Sequence, residues 1–202
     1  MKKKCVLISF PDCFSGEAEL INQMFALGEF NFHLRKKESS SHQIKKILFK
    51  INPEFYDRII IHQHYELLEK FNLGGVHLPE AERIQKTELK SKGIRIVSTS
   101  IHDLNQYEGN KSDFEYVFFS PVFKSISKEN YSPKLDIESI KNKIHVMSPN
   151  NLIALAGVTK DNFQYALDAG FNGVALLGAV WNSKNPVGYF SEFLNAFKVA
   201  SK

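Results

Sequence analysis

The feature that most constrains this chain is an end-to-end alternation of short apolar runs with amphipathic ones. CVLISF, FNFHL, RIIIH, GGVHL, IRIVSTS, YVFFSPVF, LIAL and GVALL are strand-like. Between and after them lie helix-like segments: Glu17 to Leu27, SSSHQIKKILFKI with Ser41 as its expected N-cap, HYELLEKF, Pro79 to Lys92, LDIESIKNKI, DNFQYALDAG, and a last one from about Val187 to Ala200. HDLNQYE allows a short helix at best. Strands that are apolar throughout, rather than alternating, are buried on both faces, which points to a parallel sheet covered by helices. Eight such units, with no linker rich in Pro, Gly or Ser and no shift of composition, favour one closed barrel over an open doubly wound sheet. No GxGxxG follows the first strand, which weakens a dinucleotide-binding reading. The expected fold is therefore α/β, a single-domain (β/α)8 TIM barrel over residues 1–202. With 202 residues and 43% apolar content the chain can bury one sizeable core, but its helices and loops must be short for a barrel.

Charge and composition narrow the partners. The net charge is only +4, and the basic residues are dispersed apart from Lys2-Lys3-Lys4, which is expected to be a solvated terminus rather than a nucleic-acid arm. No run approaches the ~20 apolar residues of a membrane helix. The Cys5–Phe10 segment is too short for the core of a signal peptide. The two cysteines, Cys5 and Cys13, make neither a zinc site nor a disulfide framework and are expected to be reduced thiols. The expectation is a cytoplasmic protein without nucleic-acid or membrane partners.

In a barrel the chemistry sits where the strands end. The stretch from Leu152 to Trp181 is the most telling, because two successive strands there run into small residues, Ala156-Gly157 and Gly178-Ala179. Turns of that kind bring bare backbone N–H groups together and suit a phosphate, which barrels commonly hold after their seventh and eighth strands. The other strand ends carry His33, Arg35 and Lys37; His62, Gln63 and His64; His77, Glu80 and Glu82; Ser98, Ser100 and His102; and Ser120, Ser125, Ser127 and Lys128. Five of the seven histidines fall at these positions, which suggests acid/base chemistry, although a single histidine at a strand end is more often a hydrogen-bonded structural residue than a catalyst. Arg35 and Lys128 are either anion ligands at the mouth or solvated charges. His62 and His64 share a face if the segment is extended, but no carboxylate follows them to complete a metal site, and none is expected. Glu80 and Glu82 suit the first turn of a helix.

Several motifs resemble one family in order along the chain. FHLRKK, GGVHLPEAE, Ser100-Ile101-His102, SPVFKSISK, ALAGVT and NGVALLGAVW are similar to segments of the thiamin phosphate synthase/TenI superfamily. The resemblance implies a (β/α)8 barrel, a role in thiamin biosynthesis, a thiazole phosphate as ligand and a symmetric homo-oligomer. In the synthase branch, hydroxymethylpyrimidine diphosphate is joined to thiazole phosphate with magnesium, releasing pyrophosphate. Carried over, Arg35, Lys37, Ser100, Ser125, Ser127 and Lys128 would hold the diphosphate, and Ala156, Gly157, Gly178 and Ala179 the phosphate. The magnesium ligands depart from the pattern: Gln63 and Glu82 stand for the family's aspartates, and Pro79-Glu80 for its Gly-Gln. Ala156 replaces a glycine and is expected to keep a negative φ.

Those departures resemble the TenI branch, which shares His33-Leu34-Arg35 and Leu78-Pro79 and needs no metal. Its reaction is a tautomerisation of thiazole carboxylate phosphate by a histidine placed where this chain has Pro121. The first reading is therefore a TenI-like tautomerase with His33, His77 or His102 as acid/base and no cofactor. The alternative is a thiamin phosphate synthase, with magnesium implied only in that case. A third reading is a regulator that binds thiazole phosphate without turning it over.

Overall fold

The computed structural model describes residues 2–107, 113–124 and 136–201. Eight parallel strands close into a barrel in the order β1 to β8: β1 Lys4–Ile8, β2 Asn31–Leu34, β3 Ile59–Ile61, β4 Gly75–Leu78, β5 Ile96–Ile101, β6 Tyr116–Phe119, β7 Leu152–Ala154 and β8 Gly173–Leu176. The ring shuts where β1 pairs with β8, Lys4 opposite Gly173 and Leu7 opposite Leu176. The helices are α1 Glu17–Ala26, α2 Ser41–Leu48, α3 Leu67–Phe71, α4 Lys86–Ser91, α5 Ile137–Met147, α6 Phe163–Asp168, α7 Gly178–Trp181 and α8 Pro186–Ala200. No described helix is long and apolar enough to cross a membrane.

Four local outcomes differ from the sequence expectations. Ser40, not Ser41, caps α2: its hydroxyl accepts from the Gln43 N–H at 3.3 Å while the Gln43 side chain accepts from the Ser40 N–H at 2.8 Å. This reciprocal capping box places Ser41 inside the helix. The segment after β4 is a 3-10 turn, Glu80–Gln85, that leads into the short α4, rather than one helix. The stretch GVALLGAVW divides at Leu177, so Gly178 begins α7 instead of ending a strand. A 3-10 turn at Pro53–Arg58 was not expected; Asn52 caps it by accepting from the Glu54 N–H at 3.2 Å.

Successive strand residues face opposite ways, which separates two cores. The outer layer, between strands and helices, includes Phe32 and Leu34 of β2, Val76 and Leu78 of β4, and Val117 and Phe119 of β6. The barrel interior holds Val6, Ile8, Ile60, Ile96, Tyr116, Phe118, Ile153 and Ala175. The residues that alternate with the outer set on β2, β4 and β5 are polar: His33, His77 and Ser98, all buried. Branched aliphatic residues usually fill that space, so this sector of the barrel is built for hydrogen bonding.

Candidate active site

The strand ends surround a cavity of about 500 Å³, a size that suits one or two small substrates. Among its lining residues are Arg35 and Lys37 after β2, His62 and Gln63 after β3, His77, Pro79 and Glu80 from β4, Ser100 and His102 from β5, Phe118 and Ser120 from β6, Ala156 and Gly157 after β7, and Gly178 and Ala179 after β8.

The turn after β7 is unusual in its backbone. Ala156 and Gly157 both have positive φ, 75° and 68°. The expectation of a negative φ at Ala156 is thus corrected. Two consecutive left-handed residues turn the chain so that the Ala156 carbonyl accepts from the Phe123 N–H at 3.1 Å. Gly157 tolerates no side chain, since a Cβ there would lie 2.3 Å from the Lys124 carbonyl oxygen. Asn162 fixes the turn: its amide donates to the Gly157 carbonyl at 2.9 Å and its oxygen accepts from the Thr159 N–H at 2.8 Å. The backbone N–H groups of Ala156, Gly157, Gly178 and Ala179 have no hydrogen-bond partner among the described residues. All four residues line the cavity, as a phosphate cradle requires.

Cations approach from another sector of the ring. Arg35 and Lys37 line the cavity, whereas Lys36 between them is completely buried and points away from it. The Lys36 ammonium donates to the carbonyls of Phe10 at 2.7 Å and Asp12 at 2.8 Å and pairs with the buried Glu17 carboxylate. Burial pushes the Glu17 carboxyl up against the pull of Lys36. Ser9 adds a second tie, with its hydroxyl accepting from the Arg35 N–H at 2.9 Å and donating to the Arg35 carbonyl at 3.1 Å. The β2 exit is therefore clamped to the β1 exit. Ser125, Ser127 and Lys128 lie outside the described residues.

The three histidines named as acid/base candidates occupy different environments. His33 is buried beneath the cavity and does not line it. Its Nδ1 meets His62 Nε2 at 2.9 Å and its Nε2 meets the Tyr116 hydroxyl at 2.6 Å. His77 lines the cavity, with Nδ1 at 3.0 Å from Ser98 Oγ and Nε2 at 3.0 Å from Ser100 Oγ. His102 lies apart from both, its Nδ1 bonded to the Ser120 carbonyl at 2.9 Å. His62, weighed only with His64 as a metal pair and not as an acid/base, stacks its ring on His77 with centroids 4.3 Å apart. His64 turns away, in a left-handed conformation with its Nε2 at 2.8 Å from the Ser39 carbonyl, so it shares no face with His62.

Burial is the main cause that holds all three clustered imidazoles neutral. It lowers the pKa of His33 well below its usual value, with His77 adding to the effect. His62 is lowered in the same way, then by His77, His33, Arg35 and Lys37. His77 is pushed down to about 3, first by burial and then by Arg35 and Arg83.

Among the described residues the donor set at the mouth does not suit magnesium, which prefers carboxylate oxygens and retained waters. The Gln63 amide nitrogen is committed to the carbonyls of Lys36 and Ser39. The Glu82 carboxylate accepts from the Tyr65 hydroxyl at 3.0 Å. Glu80 is the one carboxylate among the described lining residues, and it faces Arg83 at 3.5 Å.

Comparisons with known proteins agree with this geometry. A family model described as thiamine monophosphate synthase matches residues 6–180. The thiamine-phosphate synthase of Bacteroides thetaiotaomicron is 23% identical over 175 residues, covering 82% of this chain and 84% of that protein. That of Oceanobacillus iheyensis is 23% identical over 189 residues, covering 89% and 91%. Among solved structures, a thiamine phosphate pyrophosphorylase from Bacteroides thetaiotaomicron superposes with a TM-score of 0.81 at 24% identity, over 97% of this chain and 98% of that one. Another from Pyrococcus furiosus gives 0.80 at 15% identity, over 98% and 97%. Both structural likenesses show the barrel fold.

Proposed function

The chain belongs to the thiamine monophosphate synthase family of thiamin-biosynthetic enzymes, and from that premise we propose that it forms thiamin phosphate from hydroxymethylpyrimidine diphosphate and thiazole phosphate. The observation that carries this reading is the presence of two separate anion-accepting sectors in one cavity. The unpaired N–H groups after β7 and β8 suit one phosphate, and Arg35 and Lys37 after β2 suit another, with β1 between them in the ring. A condensation of two phosphorylated molecules needs two such grips, and the one on the diphosphate needs fixed cations for the charge that develops as pyrophosphate leaves. The naming of the curated relatives as thiamine-phosphate synthases supports the same choice.

In this reaction the bond between the pyrimidine methylene and the diphosphate oxygen breaks, and its electron pair leaves on pyrophosphate. The thiazole ring nitrogen supplies the pair for the new carbon–nitrogen bond. No net proton transfer is needed. Fixed positive charge on the departing pyrophosphate is the principal assistance a protein can give. Arg35 and Lys37 supply it, and the Lys36–Glu17 clasp holds their segment in place. The cradle positions the thiazole by its phosphate, so that the nucleophile is aimed rather than merely bound.

The test is product formation by the purified chain with both substrates, across a range of magnesium concentrations. Thiamin phosphate should appear, and its absence at every metal concentration would overturn the proposal. The neutral histidine cluster and the loss of magnesium ligands favour a second reading, the TenI-like tautomerase. Under that reading thiazole carboxylate phosphate would isomerise faster than in buffer alone. Binding of thiazole phosphate with neither turnover would leave only the regulatory role.

A further inference from the structure

We propose that His33, His62 and His77 form a three-imidazole site for a divalent transition ion of the zinc type at the floor of the cavity. The strands β2 and β4 and the β3 exit bring one nitrogen from each ring to within 4.8 Å of the other two. His33 Nδ1 and His62 Nε2 are 2.9 Å apart. A tetrahedral zinc with bonds of ~2.0–2.1 Å separates its nitrogens by about 3.3 Å. One pair would open slightly and the others close by at most about 1.5 Å, and the His62 and His77 rings, stacked with centroids 4.3 Å apart, would turn out of parallel so that both lone pairs meet the ion, movements that side-chain rotation can supply.

The outer contacts suit ligands more than filler. Metal-binding imidazoles usually give their second nitrogen to a hydrogen-bond partner that fixes ring and tautomer. Here Tyr116 holds His33 Nε2 at 2.6 Å, and Ser98 holds His77 Nδ1 at 3.0 Å. Ser100, on His77 Nε2, is the contact an ion would displace. The proton that lies between His33 and His62 can move to a far ring nitrogen, so the pair can bind an ion with no net proton loss. Imidazole alone selects zinc, copper, nickel or iron and rejects magnesium. His62 and His77 line the cavity while His33 lies behind it, so the open fourth position faces the substrates. Among the described residues no carboxylate joins the three imidazoles, so the ion would keep its charge and attract an anionic fourth ligand.

Ion binding is read without reference to turnover, so the proposal stands or falls independently of the reaction assigned above. The experiment uses the tag-free full chain stripped with chelator, titrated with Zn²⁺ by calorimetry and with Co²⁺ by visible absorption. One equivalent should bind, the cobalt form should show intense tetrahedral bands, and excess Mg²⁺ should not compete. His62→Ala and His77→Ala should each weaken binding at least ~10-fold, and Tyr116→Phe, which keeps the ring and removes only the hydroxyl, by about 10-fold. His145→Ala, on α5 away from the barrel interior, should change nothing. Far-UV circular dichroism on each variant separates lost ligands from lost fold, and the unmutated cobalt spectrum is free of that ambiguity. The proposal is overturned if neither ion binds saturably, if the cobalt spectrum is octahedral, or if folded His62 and His77 variants bind as well as the parent.

Discussion

At the scale of single residues, Ala156 and Gly157 carry the most information. An L-residue in the left-handed region costs roughly 1–2 kcal/mol, whereas glycine gains flexibility in the unfolded chain worth roughly 0.5–1 kcal/mol. Ala156 has φ 75°, so Ala156→Gly should stabilise the protein by about 0.5–1 kcal/mol, seen as a higher urea midpoint. Gly157→Ala should do the reverse. Its Cβ would meet the Lys124 carbonyl oxygen at 2.3 Å and Phe123 Cβ at 2.7 Å, both on the neighbouring β6 exit. The cradle would have to open, and thiazole phosphate affinity measured by calorimetry should drop with stability. Unchanged affinity in a folded Gly157→Ala protein would remove this turn from the binding site. Arg35 is a different kind of residue, since its guanidinium is asked to work on the leaving group. Arg35→Ala should lower kcat by about 100-fold, the loss typical of a fixed donor at developing charge. A change in KM alone would mean that it only binds.

At the scale of elements, the exits of β1 and β2 behave as one unit because Lys36 crosses between them. Removing one member of a buried ion pair typically costs about 3–5 kcal/mol, because the partner's charge is left without compensation. Lys36→Met should therefore destabilise the protein by about that amount in urea unfolding. The double variant Lys36→Met/Glu17→Gln should recover about half of the loss, because no charge then remains buried. Equal stability of the single and double variants would mean that the Phe10 and Asp12 carbonyl contacts, not the pair, dominate. The sequence itself sets Lys36 apart from Arg35 and Lys37. Residues alternate across a strand and its extended exit, so Arg35 and Lys37 share a side that Lys36 cannot. The barrel itself was legible for a related reason: each strand is buried on both faces and so shows as an unbroken apolar run. The histidine cluster was not. His33, His62 and His77 are far apart in sequence and meet only because β2, β3 and β4 are neighbours in the ring. The available signal was that His33 and His77 sit mid-strand between outward-facing apolar residues, at inward positions that a barrel normally fills with aliphatic side chains. Helix ends were less legible still, because Ser39, Ser40 and Ser41 all cap well and only the partner Gln43 decides among them.

At the scale of the whole molecule, the seam where the ring closes has a built-in reporter. Trp181 is the chain's single tryptophan, and its indole N–H donates to the Ile8 carbonyl at 2.7 Å. It thereby links α7, after the last strand, to the end of the first. Its ring also packs edge-on against Phe14 at 6.0 Å. The α8 helix lies across the same seam, burying Phe190 against Phe30 with centroids 4.8 Å apart. A barrel opened at this point would leave β1 and β8 as unpaired edges and expose both aromatic contacts, so local opening at the seam is unfavourable without general unfolding. We therefore predict one cooperative transition: urea unfolding followed by Trp181 fluorescence should coincide with unfolding followed by far-UV circular dichroism. Fluorescence changing at lower urea than the dichroism would instead mean that the β8–β1 closure melts ahead of the rest. Because α7 begins at Gly178 in the proposed phosphate cradle, inorganic phosphate should shift both curves together to higher urea if it binds there. A shift of the fluorescence curve alone would show that the ligand steadies the seam without stabilising the barrel as a unit.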